Sequence, residues 1–214
     1  MKIKGTFFVI FISMGIGFWQ CTPSERYERL VEKELGRGER FDSLFLGLKL
    51  GMTDHQFYGH CWEMNKQGLI RQGIGNTSVN YNVENLKAPA EMNFYPDFYH
   101  GRIWRMPVKY SYKGWAPWNL KLSADSLQID LLEKYKKIYG DDFMEVRHPH
   151  RGSAFVRVDG NRRISISKAD ESSVWVIFTD LLVDKELNAQ KDEEKTEGNQ
   201  DHNPLLDAID GTGE

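Results

Sequence analysis

Cysteine is nearly missing from this sequence. Only two occur in 214 residues, Cys21 and Cys61, so no disulfide framework holds the fold and a packed core must do so. Excess charge of one sign is also missing. The formal net charge is −3, without the basic surplus that a phosphate backbone demands, and this excludes nucleic acid as an expected partner. No apolar run reaches the ~20 residues of a membrane-spanning helix; the longest, Thr6 to Phe18, falls short. There is no phosphate-binding glycine loop, no Gly-x-Ser-x-Gly elbow and no His-Glu-x-x-His zinc pattern. No catalytic residue, cofactor or metal is therefore expected.

What is present starts at the N-terminus. Lys2 and Lys4 form a short positive region, the apolar run follows, and Cys21 comes just before a polar, helix-prone chain. This order reads as a lipoprotein signal over 1–20 with lipidation at Cys21. Phe18, Trp19 and Gln20 depart from the small residues usual before such a cysteine. The expected location is the outer membrane of a Gram-negative cell envelope, with membrane lipid reached through Cys21.

The apolar and aromatic fraction of 40% is enough for a real core. From Lys185 to Glu214 nine acidic residues face three lysines, so the acidity sits in the tail and the body is near neutral. The expected segments are 21–40 as a lipidated N-terminus with a short helix, 41–186 as one α+β domain, and 187–214 as a disordered acidic tail. A small apolar island, Pro204 to Ile209, lies within that tail.

Periodicity supplies the elements. Ser24 to Leu35 reads as a helix capped by Ser24, and Ser43 to Leu50 as extended chain. Thr53 and Gln56 form a capping box for a helix to about Gln67 that buries Phe57, Cys61 and Met64, with Gly68 as its stop. Ser78 to Val83 alternates as a strand, Leu86 to Pro96 reads as irregular, and Arg102 to Tyr112 as a strand in which Pro107 implies an edge or a bulge. Ser123 caps a second helix with the stripe Leu127, Leu131, Tyr135 and Ile138. A meander of antiparallel strands follows, turning at Asp159-Gly160-Asn161 and at Asp170 to Ser172. The fold class is α+β, with helices packed on an antiparallel sheet.

Leu48-Lys49-Leu50 and Leu120-Lys121-Leu122 each precede a capped helix. At that 72-residue offset Gln56 meets Gln128 and Gly68 meets Gly140. Two tandem helix-sheet units, 44–113 and 116–184, follow as an expectation. The segment Leu48-Lys49-Leu50-Gly51-Met52-Thr53-Asp54-His55-Gln56-Phe57 resembles the start of the SmpA/OmlA family of outer-membrane lipoproteins. The resemblance spans about ten residues, and the chain also resembles Bacteroidetes-type lipoproteins. It implies helices against an antiparallel sheet, a unit that the beta-lactamase inhibitor proteins carry in tandem. It also implies an envelope assembly role by analogy. The chain is longer than that family, and the Gly-Pro that closes the family's first helix is absent here.

Aromatic residues crowd the stretch from Phe94 to Trp118, and this makes it the candidate binding surface. Tyr95, Tyr99, Trp104, Trp115 and Trp118 are its candidate residues, and Trp115-Ala116-Pro117-Trp118 sits in a turn. His60 and Cys61 point apart on a helix, which leaves Cys61 a buried structural thiol rather than a nucleophile. His148 and His150 share a strand face but have no visible third ligand, and Arg147 with Arg151 makes that stretch basic. The expected function is a non-catalytic binding or assembly module with an envelope protein or glycan partner. The alternatives are an envelope hydrolase acting on a glycan or lipid, marked by a pocket that gathers His60, Cys61 or His148 with a carboxylate, and a small-ligand carrier using segment 94–118.

Overall fold

The first helix among the described residues, α1 (Pro23–Gly36), begins two residues earlier than a cap at Ser24 would allow. Thr22 is its cap: its hydroxyl accepts from the Glu25 N–H while the Glu25 carboxylate accepts from the Thr22 N–H. Pro23 occupies the first turn, where a missing N–H costs nothing. The Ser24 hydroxyl bonds Glu28 instead. In this computed structural model residues 22–73, 77–148 and 152–194 are described. The signal segment, Cys21, His150, Arg151 and the tail from 195 onward lie outside them.

After α1 come α2 (Asp54–Lys66), β1 (Ile70–Gln72), β2 (Val79–Val83), β3 (Ala90–Phe94), β4 (Asp97–Tyr99) and β5 (Arg102–Tyr112). Then α3 (Ala124–Tyr139), β6 (Met144–His148), β7 (Gly152–Asp159), β8 (Arg162–Lys168), β9 (Ser173–Asp180) and α4 (Leu181–Glu194) complete the described chain. All pairings are antiparallel and form one sheet in the order β1-β2-β3-β5-β9-β8-β7-β6, with β4 as a short extra strand on β5. The expected α+β class is what the structure has.

The element order repeats. Each half is a helix followed by an antiparallel meander, and the last strand of one half, β5, pairs with the last of the other, β9, from Arg105↔Thr179 to Ser111↔Ser173. The sequence correspondence at 72 residues is not the structural one. The caps Thr53 and Ser123 do not fall on that offset. Gln56 closes a capping box, whereas Gln128 is buried and donates to the Ser153 and Ile166 carbonyls of the meander.

Alternation along the strands assigns two faces. On one, Phe94, Ile103, Met106, Val108, Ile164, Ile166, Val176 and Phe178 pack under α2 and α3 with Phe57, Leu127, Leu131 and Tyr135. The segment Leu44 to Leu50 fills the space between the helices. It is a tight loop rather than extended chain: Leu46 and Gly47 have positive φ, and Leu48 N–H bonds the Phe45 carbonyl. Leu44, Leu48 and Leu50 are buried all the same, and the half-buried Phe45 lies edge-on to Phe94 at 5.0 Å. On the other face, α1 lays Tyr27, Leu30, Val31 and Leu35 over Val146, Ala154, Val156 and Val158.

Several expectations need correction. Ala90 to Phe94 is a strand, its inward residues Ala90, Met92 and Phe94 buried. Pro89 and Pro96 flank it and so never interrupt its ladder. Pro107 lies on a central strand, but at the gap where β5 has passed from β4 to β3, since those pairings involve Arg102, Ile103 and Arg105 and then Val108 onward. Ile138 is 60% exposed. Tyr139 turns inward in its place, bonding the Leu44 carbonyl and packing on Phe178. The segment from 187 to 194 is helical, not disordered. Leu181 is buried, Asp184 pairs with Arg163 at 3.2 Å, and Glu186 and Gln190 bond the Tyr99 hydroxyl, so polar contacts hold α4 where apolar ones are few.

Candidate functional site

α2 gives little of itself to the core. Of its thirteen residues only Phe57 and Met64 are buried. One turn-spaced row on its surface, Tyr58, Cys61, Trp62 and Asn65, faces the hairpin of β1 and β2 instead. Tyr95, just past β3, closes the third side. Together with Ile70, Arg71, Gln72, Thr77, Ser78 and Val79 they bound an open groove of about 700 Å³, within the size range of small-molecule sites.

Phe57 is the floor. It is 1% exposed and meets Tyr58, Tyr95 and Phe98 edge-on at 5.5, 5.9 and 6.1 Å, a geometry that the ring quadrupoles favour. Above it, Tyr58, Trp62 and Tyr95 are 51%, 63% and 36% exposed. Three large rings exposed around one concavity are uncommon on a surface that nothing covers. The Tyr58 and Tyr95 hydroxyls bond each other. This bond, aided by burial, pushes the Tyr95 phenol up to about 12, so it stays neutral. Lys66 sits 5.5 Å above the Trp62 ring and pairs with Glu63 at 2.9 Å. Asn65 donates to the Ile70 carbonyl at 3.0 Å.

Of the five aromatic residues expected to form one surface, the fold brings only Tyr95 here. Tyr99 lies on β4 and bridges to α4. Trp104 is half-buried on β5. Trp115 is half-buried and Trp118 is 87% exposed. They follow the end of β5 that pairs with Ala90, whereas Tyr95 follows the Phe94 end, so the ladder of β3 and β5 separates them. Sequence reading missed Tyr58 and Trp62. Their signal was present: two aromatics at i and i+4 on the side of α2 that the Phe57 stripe leaves outward.

Cys61 is half-buried in the groove wall rather than fully buried, and burial pushes its thiol up to about 11. His60 faces a different, shallower groove that it shares with His55 and Glu63. There its Nε2 lies 2.7 Å from the Leu46 carbonyl. Among the described residues no serine, threonine, cysteine or aspartate lines that second groove. His148 ends β6. Among the described residues no cluster of three or more His, Cys, Asp or Glu is placed to hold a metal ion, and no helix is long and apolar enough to cross a membrane. Comparisons of the chain with protein-family models, with curated proteins and with solved structures find no match.

Proposed function

We propose that this protein is a non-catalytic binding module of the cell envelope, tethered through lipid on Cys21 and recognising its partner with the Tyr58–Trp62–Tyr95 groove. One observation carries the reading: three exposed rings surround an open groove whose wall, among the described residues, holds no histidine and no carboxylate. Hydrolysis needs a base, either to activate water directly or to activate a side-chain nucleophile beside it. The Cys61 thiol in this wall is held protonated by its burial, which leaves binding as the chemistry the wall supports. The order of charged start, apolar run and cysteine supports the tether. The helix-then-meander order of each half fits the unit expected from the SmpA/OmlA resemblance, and an envelope assembly role is taken from it as analogy.

Two variants test the two parts. Cys21→Ser should release the protein from the membrane fraction and abolish labelling by an acyl precursor, since the acyl chains of a lipoprotein supply the membrane affinity. Trp62→Ala should reduce the envelope material retained by the tagged protein, with the melting temperature unchanged to within about two degrees, because the ring is largely exposed. Unlabelled wild-type protein, or retention that ignores Trp62, refutes the corresponding part.

A further inference from the structure

We propose that the partner of the groove is a glycan; this rests on the binding reading above and names the class of its ligand. Sugars are amphipathic in a particular way. One side of a pyranose is a patch of C–H bonds, and its rim is a ring of hydroxyls that both donate and accept. A site for them needs exposed aromatic planes for the first and neutral two-way hydrogen-bonding groups for the second. Tyr58, Trp62 and Tyr95 offer the planes. The paired phenols offer hydroxyls of the right kind, and Asn65, Arg71 and Thr77 add polar groups on the rim.

The competing occupants fit less well. An extended peptide would add to the sheet edge at β1. That strand has three residues, and its Ile70 carbonyl is already taken by Asn65 at 3.0 Å, so little ladder remains. A phosphate-rich ligand would need clustered cations. Among the described residues Arg71 is the only charged one lining the wall, and it lies 3.5 Å from Glu91. An acyl chain would need an enclosed apolar cavity, whereas this groove is open and polar along its rim.

The test titrates the whole chain in detergent with chitohexaose, cellohexaose and soluble peptidoglycan fragments, followed by calorimetry and tryptophan emission. Saturable binding to at least one is expected. Trp62→Ala should weaken it at least tenfold, Trp62→Tyr should restore most of it, and Trp118→Ala, at the far end of the β3–β5 ladder, should leave it unchanged. No binding up to about 10 mM, where affinity becomes negligible, overturns the proposal, as does binding that ignores Trp62. Envelope material retained by the tagged protein separates the two levels. Retention that depends on Trp62, survives periodate and is lost to protease leaves the binding reading standing and removes the glycan. Retention indifferent to Trp62 removes both.

Discussion

Asp130 is the sharpest place to test the core. Its side chain is 3% exposed on α3. It accepts from the Tyr112 hydroxyl, from the Lys87 N–H at 3.2 Å and from the Lys87 ammonium at 2.6 Å. One carboxylate thus ties α3 to β5 and to the connection between β2 and β3. Asp130→Ala leaves the Tyr112 hydroxyl buried and unpaired, a cost of about 1–3 kcal/mol. It also removes a charge-assisted bond to the Lys87 N–H of similar worth. The Lys87 ammonium is 67% exposed, so its loss adds at most ~1 kcal/mol. The expected total is about 3 kcal/mol, or some 6–12 °C in melting temperature for a chain of this size. Burial opposes ionisation of Asp130, but the bonds from Lys87 and Tyr112 outweigh it and hold the carboxyl below its usual range. The unfolded group titrates near 4. Its stabilisation is therefore complete above about pH 5 and is lost as pH falls through 4 toward the folded value. Denaturation by urea at pH 7 and at pH 3 should show the gap between wild type and Asp130→Ala narrowing in acid. Adding Tyr112→Phe to Asp130→Ala should recover stability, since it removes the orphaned hydroxyl. A double variant less stable than Asp130→Ala by 1 kcal/mol or more, or a gap that widens in acid, would refute the reasoning.

Gly160 has φ +51, and a Cβ there would collide with the Glu39 carbonyl; Gly160→Ala should cost at least ~2 kcal/mol by chemical denaturation, and a loss below ~0.5 kcal/mol would mean that segment 39–41 yields freely. Cys61 should alkylate with iodoacetamide at pH 8 on the order of a hundredfold more slowly in the native than in the denatured protein, because burial pushes its thiol up to about 11; equal rates by mass spectrometry would contradict this. Trp118→Ala should change stability by less than ~0.5 kcal/mol, the ring being 87% exposed, and a larger loss in thermal melts would place it in the core.

Much of the fold was readable because local chemistry and tertiary structure agree. The Thr53–Gln56 box, the Gly68 and Gly140 stops and the alternation in β9 are where periodicity puts them. The misses share a cause. Ala90 to Phe94 alternates, but its two flanking prolines made the stretch look broken. Leu44 to Leu50 is apolar because it is buried, not because it is extended, and composition alone does not tell these apart. Residues 187–194 are polar like an unfolded tail, yet Glu186 and Gln190 reach Tyr99 across the chain, a contact that no local pattern announces. The groove was legible only in part. Tyr95 stood out in a crowded aromatic segment, but its partners come from α2, over thirty residues earlier, and only the pairing of β1 and β2 beside that helix brings them together.

The two halves share an element order and use it differently. α3 lies over β5, β8 and β9 at the centre of the sheet, and Leu127, Leu131 and Tyr135 are 0%, 0% and 3% exposed. α2 lies beside the edge strand β1 and buries only Phe57 and Met64. A helix at a sheet's edge has less apolar surface to cover than one at its centre, so fewer of its residues are needed for folding. The surplus positions on α2 hold a tyrosine and a tryptophan where charged residues would be cheaper in water. Those rings are 51% and 63% exposed, while α3 covers the centre of the sheet. Exposed aromatic surface on α2, beyond what the core uses, is the physical ground for the proposed binding role of the first half of the chain.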